Sequence, residues 1–162
     1  MGISKDRVRE LSLKIVAELG RLPPVEISLT AAESAEMAQL LILMNKDGVI
    51  QDESCDRAAK ILYDAGVEVA REAGLIGAAP VRMFEMDEII RKKGIADRKV
   101  SISAIDLSSL AAALIQSVHV GPKSSEDAAS AIRKVVDIGD GLIKKIMRQV
   151  IMSQPEFSQV LN

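Results

Sequence analysis

The chain has one histidine, His119, and one cysteine, Cys55, among its 162 residues. His119 stands just before Gly121 and Pro122, at an expected helix end, where an imidazole serves structure. It has no second histidine at a ligand spacing, so a zinc or iron site would need carboxylates almost alone. The Glu-x-x-His pairs of carboxylate-bridged helical bundles do not occur. Cys55 lies among Asp52, Glu53 and Asp56. Their charge opposes a thiolate, although a helix N-terminus favours one, and Cys55 reads as a packing or surface residue. There is no Gly-x-Ser-x-Gly elbow and no Walker lysine pattern. Gly139-Asp140-Gly141 imitates a phosphate loop but lacks the third glycine and the preceding strand. The acids at 52, 53 and 56 have the wrong spacing and no glycine turn for a calcium loop; they suit the positive end of a helix dipole. No catalytic, cofactor-binding or metal-ligating residue is therefore assigned. No cofactor is expected, and the chain is expected not to be an enzyme.

Composition points the same way. Aromatics make up 2% of the chain, with no Trp, one Tyr (Tyr63) and two Phe (Phe84, Phe157). Aromatics dominate binding hot spots and stack on bases, sugars and cofactor rings. Here the core must come from Ala, Leu, Ile, Val and seven Met. A chain this long buries about 70% of its unfolded surface and needs no disulfide to fold. Net charge is −2, which supplies no general attraction for nucleic acid or anionic lipid. The charge is unevenly spread: residues 23–80 carry ten acids and four bases, residues 81–103 six bases and four acids. The longest uncharged run, Leu107 to Pro122, is short for a membrane span and contains Ser, Gln and His. The N-terminus is charged from Lys5, unlike a signal peptide. Asp6 stands where a myristoylation motif needs Ser or Thr. The location expected is cytoplasmic, or a virion if the chain is a viral structural subunit.

The elements follow from periodicity and punctuation. Val8, Leu11, Ile15 and Leu19 form one apolar stripe on a helix from Lys5 to Gly20, with Ser4 at its cap. Pro23 and Pro24 stop it. Val25 to Thr30 alternates like a short strand or strap. Thr30-Ala-Ala-Glu33 is a capping box opening a second helix to Lys46, with Met37, Leu40, Leu41 and Met44 on its buried face. A third helix spans Asp52 to about Gly74, with Ala58, Leu62, Ala65, Val69 and Ala73 on one face. Gly74 to Pro80 is the most loop-like stretch and divides the chain into halves, 1–76 and 77–162, packing as one unit. A fourth helix, Arg82 to Lys93, ends at Gly94, and Lys99 to Ser103 alternates again. Ser103-Ala-Ile-Asp106 opens a fifth helix to Val118; Ser124-Ser-Glu-Asp127 opens a long sixth to Met152, with Gly139 and Gly141 inside it. Ser153-Gln-Pro-Glu156 starts a short final helix ending near Leu161. The fold class expected is mainly all-α: about seven helices and two straps that can pair.

The order helix, strap, helix, helix occurs twice. Shifting the chain by 73 residues aligns Ile27–Gly66 with Val100–Gly139 without a gap, and ten of forty positions are identical. Ala38/Ala111, Leu41/Leu114, Ile42/Ile115, Ala58/Ala131 and Gly66/Gly139 are among them. The capping boxes coincide. An internal duplication predicts two halves related by a pseudo-two-fold axis, with the helical glycines marking close backbone approach.

The strap Val25–Thr30, followed by two helices with a glycine turn between, resembles the ribbon-helix-helix order, and a tandem copy would make a single-chain pseudo-dimer. The segment Asp52–Ala73 resembles the central helix of a histone fold. Both resemblances cover under half the chain, and both imply DNA binding. The strap would offer Glu26 to phosphates, which is unfavourable; the basic groups are confined to Arg91, Lys92, Lys93, Arg98 and Lys99. The function expected is instead non-catalytic: a helical interaction or assembly protein forming homo-oligomers, or part of a larger complex such as a virion or phage shell. Its partner is a second copy or another protein, with no membrane involved. DNA binding is the alternative, and a small helical enzyme with a carboxylate-based site is the third reading.

Overall fold

The computed structural model describes residues 4–74, 83–117 and 126–155. His119, the loop after Gly74 and the final helix expected beyond Pro155 lie outside these residues. Among the described residues the fold is mostly helical, with six helices and one two-stranded antiparallel sheet.

Helix α1 spans Lys5–Arg21, and the Ser4 hydroxyl accepts the Arg7 N–H at its start. Strand β1 (Val25–Leu29) follows the two prolines, and α2 (Ala31–Lys46) begins at the capping box. There Glu33 N–H donates to Thr30 Oγ1 at 3.1 Å, and Thr30 N–H donates to Glu33 Oε1 at 2.8 Å. Gly48, at φ +73°, lets the chain turn out of α2. Helix α3 (Glu53–Glu72) is capped by the Asp52 carboxylate, which accepts the Cys55 N–H. Helix α4 (Met83–Lys93), strand β2 (Arg98–Ile102), α5 (Ala104–Ser117) and α6 (Glu126–Met152) complete the order. Helix α6 runs unbroken through both of its glycines. In the described chain no helix is long and apolar enough to cross a membrane.

The two straps pair with each other. Val25 faces Ile102, Ile27 faces Val100 and Leu29 faces Arg98. Alternation sends Ile27, Leu29 and Ile102 into the core and leaves Glu26, Ser28, Lys99 and Ser101 outside. The main core draws Leu41, Leu62, Leu107, Leu110, Leu114 and Val135 from α2, α3, α5 and α6 onto this ribbon. Both halves of the sequence thus contribute to one apolar cluster. Deleting any of these leucines to Ala costs about 2–5 kcal/mol through lost transfer energy and the cavity left behind.

The stripe expected on α1 needs correction. Leu11 and Leu19 are buried against Ile146 and Val150 of α6, but Val8 is 49% exposed. Helix α1 lies on the rim of the bundle and touches it with a narrow seam, so a residue one turn from Leu11 already reaches solvent.

Two glycines allow the helix hairpins to close. A Cβ on Gly66 would lie 2.4 Å from Ala38 Cβ and 2.4 Å from the Ser34 carbonyl oxygen. On Gly139 it would lie 2.5 Å from Ala111 Cβ and 3.0 Å from the Leu107 carbonyl oxygen. Any side chain at either position would push α3 off α2, or α6 off α5.

Candidate functional site

Two carboxylates occupy the third position of their helices, one in each half, and each is tied to the opposite half. Glu33 is buried at 2% exposure, and its Oε1 accepts from Lys134 Nζ at 2.6 Å while Oε2 accepts from Ser130 at 2.5 Å. Lys134 also reaches the Ser28 carbonyl at 3.4 Å. Asp106, 7% exposed, accepts from Nε and Nη2 of Arg57, each at 3.1 Å, and the Ser103 hydroxyl accepts its backbone N–H. Burial pushes both carboxyls up. The charged and hydroxyl donors outweigh it and hold Glu33 and Asp106 below the usual carboxylate range. A carboxylate kept ionised and fully engaged is a poor proton donor. These pairs join the two halves of the sequence. The sequence marks Glu33 and Asp106 through their capping boxes, but pairing them with Lys134 and Arg57 depends on how the helices cross.

Cys55 is buried at 2% exposure, and burial, aided by Asp52 and Asp56, pushes its thiol up to about 11. It is therefore a packing residue. Gly139 is seated against α5 inside a helix and its backbone is closed to a phosphate; Gly141 faces open space. Among the described residues no group of three or more His, Cys, Asp or Glu side chains could hold a metal ion.

The basic cluster is largely engaged within the fold. The Arg98 guanidinium is only 14% exposed and pairs with Glu72 and Glu68 of α3. Lys93 donates to the Ala73 carbonyl at 3.1 Å, and Lys92 pairs with Glu88. Lys99 extends into solvent and sits 3.6 Å from Glu26 across the ribbon.

The surface offers a different feature. A cleft of about 310 Å³ opens between the end of α2 and the start of α3. Leu41, Ile42, Ile50, Ala59 and Tyr63 line it together with Asp56 and Lys60. Ile42 is 51% exposed and Leu43 beside it 57%. Ile115 on α5, the counterpart of Ile42 at the 73-residue offset, is 54% exposed. Comparison with protein-family models, curated proteins and solved structures gave no match.

Proposed function

We propose that the chain is a non-catalytic assembly module, built from two copies of a strand–helix–helix unit and joined to copies of itself through apolar helix surfaces. The exposed cleft between α2 and α3, lined in part by the exposed Ile42 and Tyr63, carries this reading. Contiguous apolar surface rimmed by charge is the signature of an association site. The same features suit a subunit of a larger shell.

The duplication draws support from three relationships that share one offset of 73 residues. Ile27 is paired with Val100, its own counterpart, as a pseudo-two-fold axis through the middle of the ribbon requires. The Gly66 seat on Ser34 and Ala38 corresponds to the Gly139 seat on Leu107 and Ala111. Glu33 and Asp106, counterparts in their capping boxes, each bond across to the other half. Sedimentation velocity over a micromolar concentration series tests the assembly reading. Mass above 17.4 kDa that grows with concentration is expected; a monomer throughout would refute it.

One observation favours a second reading, DNA binding. The straps do pair as an antiparallel ribbon, the form that some proteins insert into the major groove. Glu26 on the exposed face, held beside Lys99, works against it. A shift of duplex DNA at about 50 mM salt, weakened by Lys99→Ala, would establish that reading, because counterion release favours binding most at low salt.

A further inference from the structure

Helix α1 belongs to the first half of the sequence but is seated on the second. Its buried Leu11 and Leu19 lie in one cluster with Ala104 of α5 and with Ile146 and Val150 of α6. Helix α4 does the converse. Its Ile90 is buried with Ala31 and Ala35 of α2 and Val69 of α3, and its Lys93 donates to the Ala73 carbonyl at the end of α3. Each half therefore lends its leading helix to the helix pair of the other. The antiparallel ribbon causes this. Val25 faces Ile102, two residues before α5 begins, so the chain enters β1 beside α5; Arg98 faces Leu29, two residues before α2 begins. The seat on α5 and α6 thus receives a helix from outside its own strand–helix–helix unit.

The joint behind α1 suits transfer. Leu22, Pro23 and Pro24 alone separate α1 from β1. Leu22 is extended (φ −71°, ψ 146°), and its N–H bonds back to Leu19 within the last turn of α1. Neither proline has an N–H to tie the joint to the bundle, and both hold it stiff and extended. The seat is shallow. Val8, Leu13 and Val16 of α1 face solvent, and a cleft of about 500 Å³ runs between α1 and the end of α6. The contacts made there can be remade by α1 of an identical chain. They include Arg7 and Lys14, which donate to Gln154 Oε1 at 2.7 and 3.3 Å.

We infer that α1 exchanges between two copies of the chain, each α1 occupying the α5/α6 seat of the other copy. This rests on the assembly reading and deepens it by naming the element that passes between copies. The exchange is reciprocal, so both seats are filled and the product is a closed two-fold dimer. The seam itself is the same in the closed monomer and in the dimer, and the joint and the protein concentration set the balance between them. Within one chain a short linker returns α1 to its seat at an effective concentration of about a millimolar. A second copy competes for the seat once the chain is concentrated to that level.

The test uses the full chain carrying Ala17→Cys and Gln149→Cys, two positions that line the same cleft from α1 and from α6. Cys55 is buried and does not compete for the reagent. Circular dichroism and thermal melting establish that the variant is folded. A bismaleimide is first chosen, on dilute protein, with a spacer long enough to join the two cysteines of a monomer. The protein is then held at about 1 mM, monomer and dimer are separated by size exclusion, and each fraction is treated with the reagent. On a denaturing gel the monomer fraction is expected to keep the mass of one chain, and the dimer fraction to run at twice that mass. Copies that merely touch would give the one-chain product in both fractions, because each α1 would still lie on its own α6. That result would refute the exchange and leave the assembly reading standing. A chain that stays monomeric at this concentration removes both.

Discussion

Lys134 of α6 holds its ammonium 2.6 Å from Oε1 of Glu33, a carboxylate buried in the first turn of α2. One helix of the second half is thereby fastened to one helix of the first. The Arg57–Asp106 pair does the same in the reverse direction. A half-exposed lysine reaching a buried carboxylate keeps its own hydration while relieving the carboxylate of most of its desolvation cost.

These pairs make stability depend on acid pH. Glu33 and Asp106 have folded-state values held below their ordinary 4.5 and 3.8. Their contribution is complete above those ordinary values and is lost as pH falls through the lowered folded ones. Urea unfolding should show a stability that is flat near neutrality and declines below about pH 4.5. Glu33→Gln should lower stability by about 2 kcal/mol at neutral pH and flatten the acid decline. An unchanged acid slope in that variant would mean that Glu33 is not held ionised by Lys134.

The glycines of α3 and α6 separate by environment. Gly66→Ala and Gly139→Ala drive a methyl group into the neighbouring helix and should each cost about 3 kcal/mol. Ala111→Gly should recover part of the Gly139→Ala loss, because Ala111 Cβ is the nearest atom to the added methyl. Gly141 meets nothing within 4 Å, and Gly141→Ala should stabilise by about 0.8 kcal/mol through helix propensity. Thermal melting of the four variants would check the order.

Cys55 should resist thiol reagents. With a buried thiol pushed up to about 11, it should react with a disulfide reagent at neutral pH only as fast as the protein opens. Adding denaturant should release one fast-reacting thiol per chain. Rapid labelling of the native protein would place Cys55 at the surface.

Arg98 and Lys99 are neighbours with different roles. Arg98→Ala removes a mostly buried guanidinium and leaves Glu68 and Glu72 facing each other, which should cost about 2 kcal/mol. Lys99→Ala removes an exposed ion pair and should stay within about 0.5 kcal/mol of the parent. Equal effects in chemical unfolding would contradict the pairing of Arg98 with α3.

Much of the fold was legible because its signals are local. Ser4, the Thr30–Glu33 box and Asp52 announce three helix starts by the hydroxyl or carboxylate that each cap needs. The alternation of Val25–Thr30 and Lys99–Ser103 announces two short strands, which form at Val25–Leu29 and Arg98–Ile102. Val8 was misplaced because periodicity shows that a helix has an apolar side, not how wide a partner covers it.

The candidate site was far less legible. Ile42 and Leu41 are adjacent aliphatic residues, and only the crossing of α2 with α3 makes one core and the other half-exposed at the rim of a cleft. The sequence by itself determined the elements, their order, the scarcity of aromatic anchors and the 73-residue echo, since all of these reside in residue type and spacing. Tertiary structure alone decided that the straps pair, that Glu33 takes Lys134 and Asp106 takes Arg57, and that Arg98 turns onto α3. Those outcomes depend on the distance between groups far apart in the chain, and that distance exists only once the helices have packed.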